Sequence, residues 1–240
     1  MTVAHFNAVP GFLPSTNGLH FTNSWPHVPD FVVDLGPFGK VPIGDASNGL
    51  CGGMVYTVID VFRAGLPPLA DVINPPAGSP LFKYLAARLF DSFDVPSGVT
   101  TYYKWMTTAD HDTKVWFVTR RGVAWRTIKD EWLSIKADID AGRLAPLGLV
   151  TVQSADPAAL GHNHQVLAYA YDVDDANRLT LRLYDPNTRQ SRADDVALSL
   201  DLSQPTRTSA ITHNVNISRP IRGFFRTKYA FHDPRSIAGS

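Results

Sequence analysis

The chain is 240 residues long, and its 44% hydrophobic content is enough to fill the core of one large domain. Its 22 basic and 22 acidic residues cancel to a formal charge of zero, which argues against a nucleic-acid groove or a membrane as partner and leaves a small neutral or peptidic ligand. A single cysteine, Cys51, excludes an internal disulfide and a cysteine-based metal cluster.

No segment approaches the length needed to cross a bilayer, and Met1 to Asn7 lack the basic stretch and apolar run of a leader. The cytoplasm is therefore the expected location, although a specialised export route leaves no readable mark. Residues 1–48 are rich in Pro, Gly and Asn and read as an extended segment over the body. From Cys51, the apolar positions Val55, Val58, Ile59 and Phe62 recur at helical spacing, and the helix is expected to stop near Gly65. A second helix begins at the cap and first-turn pair Ser79-Pro80, carries Leu81, Leu85 and Leu89, and ends near Ser92. Residues 100–126 read as irregular, with Val115 to Val118 and Gly122 to Trp125 as short strands. A third helix runs from about Thr127 to Ala141, with Ile128, Trp132, Ile135 and Ile139 inward and Gly142 as its stop.

The pattern then changes. Leu147 to Val152, Gln165 to Tyr171 and Leu179 to Tyr184 are rich in β-branched and aromatic residues, and Asp172 to Asn177 reads as a hairpin turn. Two later runs, Ala210 to Ile217 and Ile221 to Phe225, extend the same antiparallel sheet. Helices first and strands afterwards predict an α+β fold in one domain, with an N-terminal segment 1–48, a helical part 49–145 and a sheet part 146–230.

A cysteine at a helix start is placed for chemistry, because the unpaired N–H groups and the dipole there favour a thiolate. Gly52 and Gly53 beside it would let a substrate carbonyl approach the backbone. His164 stands at the mouth of a strand, where a sheet can hold an imidazole rigidly against that helix. His162, two residues earlier, would face the same side and competes for the role. If the hairpin closes around Asp174 and Asp175, Asp185 returns beside His164 and can hold its tautomer; Asn187 is an alternative orienter.

Asn163-His164-Gln165-Val166 and the apolar run to Tyr171 resemble the signature around the base of papain-like cysteine peptidases. Asp185-Pro186-Asn187 resembles the Asp-Pro element one hairpin later in the C39-like branch, and residues 132–149 resemble that branch's helix and following turn. The likeness covers the cysteine helix and most of residues 128–190. It implies a papain-like fold with a cleft between helices and sheet, a Cys51–His164–Asp185 triad, no cofactor, and a peptide or small acyl substrate. The family usually places a glutamine six residues before the cysteine as an oxyanion donor; Asp45 stands there, leaving Asn48 and Ser47 as substitutes.

Other readings of the same residues remain. Cys51 shares a stripe with Val55, Val58 and Phe62 and would also suit a core, and the fold without its chemistry would be a ligand-binding module. His162, His164 and Asp185 supply three ligand types suited to zinc or iron. The acidic run from Asp172 lacks the glycine and glutamate of a calcium loop. Asn23-Ser24-Trp25 matches a papain-type tripeptide but precedes the cysteine, and reads as coincidence.

Overall fold

The computed structural model describes residues 3–25, 31–34, 40–43, 50–94, 97–207 and 210–238. The fold is α+β. In chain order, β1 (Val3–Ala8) and the single turn α1 (Pro14–Asn17) precede a small hairpin, β2 (Phe31–Asp34) and β3 (Lys40–Ile43). The helices α2 (Cys51–Arg63), α3 (Pro80–Ser92) and α4 (Ser97–Thr107) follow, then a second hairpin, β4 (Thr113–Val115) and β5 (Val118–Arg120). A continuous helical stretch consists of α5 (Val123–Trp125), a π-helical segment Arg126–Glu131 and α6 (Trp132–Asp140). The strands β6 (Ala145–Val150), β7 (His164–Asp174), β8 (Arg178–Tyr184), β9 (Ala197–Asp201), β10 (Thr212–His213) and β11 (Gly223–Arg226) complete it.

These last strands form one antiparallel sheet in the order β10-β9-β8-β7-β6-β11. Strand β7 is long enough to serve two neighbours on one edge. Its first half pairs with β6, from Leu149↔His164 to Ala145↔Ala168, and its second with β1, from Ala8↔Ala170 to Val3↔Asp174. Both faces of its first eight residues are buried, which is why it reads as a nearly unbroken apolar run.

The helix α2 packs across this sheet and against α3. A Cβ on Gly53 would lie 2.0 Å from the Leu85 carbonyl oxygen, and one on Gly52 would lie 2.2 Å from Ser92 Oγ and 2.7 Å from Gln165 Nε2. Both glycines therefore face inward and seat the first turn of the helix against α3 and β7. This corrects the expectation that they open the backbone to a substrate.

The apolar stripes of α2, α3 and α6 are buried as their spacing required, Phe62 only partly, with Ser79 capping α3 through Phe82 N and Gly65 and Gly142 adopting positive φ beyond their helices. Four expectations are corrected. Residues 97–107 form α4, because Val99, Tyr102, Trp105 and Met106 fall on one buried face despite a sequence of weak helix formers. Gly122 to Trp125 opens a helix instead of a strand, and Val115 to Val118 forms the turn between β4 and β5. The segment 1–48 contributes β1 to the main sheet instead of lying wholly over the body. At the β7–β8 turn, Asp174 Oδ1 accepts from Ala176 N and Arg178 N and Asn177 takes φ +59°, a self-contained Asx turn. Among the described residues, no helix is long and apolar enough to cross a membrane.

Candidate active site

Antiparallel pairing of β7 with β8 sets Leu167 opposite Tyr184, so the start of one strand meets the end of the other. Asp185, the residue after β8, comes to His164, the first residue of β7. His164 Nε2 and Asp185 Oδ1 lie 2.7 Å apart, and both side chains are buried. Cys51 lies beside the imidazole, close enough for its sulfur to favour the charged ring. Cys51 is the first residue of α2 and is half-buried. Helix, strand and strand end thus converge on one point.

The carboxylate is surrounded by donors. Asp185 Oδ1 also accepts from Asn187 N at 3.0 Å, while Oδ2 accepts from Thr188 Oγ1 at 2.7 Å and Asn216 N at 2.9 Å. Burial pushes the Asp185 carboxyl up, but the hydrogen bond and charge of His164 and the Asn216 and Asn187 amides outweigh it and hold it below its usual range. For His164, burial works against the charged form, yet hydrogen bonds to Asp185 and Cys51, with their charges, push the imidazole up to about 10. The pair is set up as an imidazolium held by a carboxylate. Tyr102 lies near the thiol, a buried phenol kept protonated by burial first and by the charge of Cys51 second.

The remaining sequence candidates fall elsewhere. His162 is exposed and ends a 3-10 turn, Pro157–His162, so it precedes the strand and does not share a face with His164. The proline-initiated turn breaks the alternation that placed the two rings together. Asn187 directs its side-chain hydrogen bonds elsewhere. Its side-chain oxygen accepts from Asn23 Nδ2 at 3.1 Å and its Nδ2 donates to Asn216 O at 3.3 Å, so it brackets the Asp185 loop. Asp45, Ser47 and Asn48 lie outside the described residues. The suggested His162, His164 and Asp185 metal trio is not assembled, and among the described residues no group of three His, Cys, Asp or Glu is placed to hold a metal ion.

Several contributors were missed in the sequence. Thr188 and the backbone of Asn216 hold Asp185; the first has only a generic hydroxyl as signal, and the second has none, since a main-chain donor is not encoded by residue type. Asn23 N donates to Pro186 O at 2.9 Å, so the segment containing Asn23-Ser24-Trp25 does pack on the Asp185 loop. Asn163 fixes the approach to His164, accepting from Thr151 N and donating to Leu160 O and Met106 Sδ. On the opposite face of β7, Gln165 Nε2 donates to Ser92 Oγ at 3.0 Å, tying the strand to α3 beneath the first turn of α2.

Compared with family models, with curated proteins and with solved structures, the chain matches none.

Proposed function

We propose that this chain is a papain-like thiol hydrolase or acyltransferase that acts on a peptide, amide or thioester through Cys51, His164 and Asp185. The observation that carries the reading is the buried His164 ring, held at 2.7 Å by Asp185 and lying beside Cys51 at a helix start. An imidazole beside a sulfur at a helix start is the pairing of base and nucleophile that thiol chemistry uses.

In this reading the Cys51 sulfur bonds to the acyl carbon while electrons move onto the carbonyl oxygen. The oxyanion meets the Cys51 N–H at the start of α2, one of the first-turn donors that a helix leaves without an internal partner. Collapse of the intermediate breaks the bond to the leaving group, which takes its proton from His164. Neutral His164 then removes a proton from water or another acceptor, whose attack on the thioester releases the acyl group and returns the proton to the ring. Asp185 keeps Nε2–H in place throughout. No cofactor is needed for these steps.

The test is alkylation. At mildly acidic pH, iodoacetamide is expected to label Cys51 well ahead of a model thiol, on the order of 10²-fold for a thiolate held as an ion pair. His164→Ala is expected to remove that advantage. A rate equal to the model thiol, unchanged in His164→Ala, would overturn the proposal and leave a fold that binds a ligand or partner without thiol chemistry.

A further inference from the structure

The β4–β5 hairpin stands out from an otherwise well-buried apolar chain. Its two-residue turn places Trp116 and Phe117 at the tip, 90% and 100% exposed, with Val115 and Val118 paired beneath them and also exposed. Adjacent exposed aromatics of this size are not what folding alone selects. Trp116 also sits at φ +56°, a backbone region that favours glycine, so the chain accepts local strain to keep an indole there.

The stem is basic. Lys114, Arg120 and Arg121 lie within residues 113–121, which contain no Asp or Glu. Arg121 is committed, pairing with Asp112 at 2.6 Å and stacking over Trp125 at 4.7 Å, and Asp112 in turn accepts from Gly122 N, which stiffens the base. Lys114 and Arg120 are exposed and have no ion-pair partner among the described residues. The formal charge of zero for the whole chain conceals this local excess.

We propose that this hairpin is a wedge that docks the protein on an anionic lipid surface, with Trp116 and Phe117 entering the headgroup boundary and Lys114 and Arg120 meeting lipid phosphates and carboxylates. Three-residue strands at about 3.3 Å per residue lift the tip roughly 10 Å from its base, matching the 5–10 Å depth at which interfacial apolar groups settle. Tryptophan above a basic collar is the arrangement that suits a membrane interface. Four apolar side chains on a tip with charged flanks do not make a flat face of the roughly 800 Å² per partner that a standard protein interface buries. The surface contact needs no spanning helix.

The base of the wedge is linked to the residues beside His164. Arg222 joins Asp110 and Thr108 O to Val152 O, and Met106 Sδ accepts from Asn163 Nδ2. Docking would therefore bring that end of the sheet toward the lipid, although the proposal does not depend on what Cys51 does.

Sedimentation of the full chain with vesicles tests it. Vesicles of phosphatidylcholine mixed with phosphatidylserine are expected to bind it about tenfold or more tighter than phosphatidylcholine alone, with the difference falling as salt rises. Trp116→Ser with Phe117→Ser, at positions 90% and 100% exposed, is expected to lower binding about tenfold or more. Lys114→Glu with Arg120→Glu should erase the preference for phosphatidylserine. Equal binding by the tip variant, or no vesicle binding by the native chain, overturns the proposal. So does a native dimer that the tip substitutions convert to a monomer, because the tip would then cover a second copy of the chain.

Discussion

Helix α2 meets a buried carboxylate cluster at each end, and the two clusters use the same material. Near its C-terminal end, Asp60 is fully buried and accepts from Arg88 Nε at 2.7 Å, Tyr84 OH at 2.9 Å, Tyr229 OH at 2.6 Å and His232 N at 3.0 Å. At its start, Cys51 meets the His164 and Asp185 pair, whose carboxylate is just as buried and as well supplied with donors. A buried carboxylate with its oxygens satisfied is therefore no mark of a site. The difference lies in the proton. A guanidinium keeps its charge at every working pH, and the Tyr84 and Tyr229 phenols are pushed upward by burial and by Asp60, so they remain donors. His164 alone holds a proton that can be given away, and it faces a thiol.

Breaking the structural end should have the largest effect. Arg88→Ala leaves Asp60 buried without its counter-charge and is expected to cost about 3–5 kcal/mol, read from urea midpoints. Alkylation of Cys51 in the folded variant should stay at its native rate; if it collapses, the two ends are not separable. Next, His164→Ala should slow alkylation at mildly acidic pH on the order of 10²-fold.

The pH dependence of stability sharpens the contrast. His164 moves from 6.5 to about 10 on folding, so its contribution is complete below 6.5 and is lost as pH rises from there through about 10. Asp185 is depressed, so its contribution is present above 3.8 and is lost as pH falls through the lower folded value. The phenols around Asp60 are raised from 10.0 and begin to weaken the fold only above that pH. A decline between 6.5 and 10 thus belongs to the site. Asp185→Asn keeps a hydrogen-bonding group but not the charge, and should move the upper limit of that decline down by about one to three pH units. A decline unchanged in this variant would mean another group titrates. The smallest effect is expected for Thr188→Val, which removes one of the donors to Asp185 and should cost about 1 kcal/mol with a modest loss of alkylation rate.

What the sequence revealed follows the same division. The strands that bring His164 to Asp185 were readable because their turn chemistry and β-branched runs are local, and α2 and α3 because their stripes and the Ser79 cap are local too. Helix α4 was hidden by Thr100, Thr101, Tyr102 and Tyr103, poor helix formers that tertiary packing of Val99, Trp105 and Met106 overrides. Strand β1 was hidden because its partner lies more than 160 residues away, at Ala170 to Asp174. The Cys51, His164 and Asp185 side chains were legible and much of their support was not: Thr188 carries only a generic hydroxyl, and the amides of Asn187 and Asn216 that hold Asp185 are main-chain groups, which any residue could supply.

The late position of those supports sets a timetable. A ribosome adds about 5–20 residues each second, so Cys51 emerges several seconds before His164 and Asp185, and later still comes the Asn216 amide that finishes the carboxylate's cage. Throughout that interval Cys51 stands without the imidazole and carboxylate that the folded chain sets beside it. The site as described is complete only once residue 216 has been made.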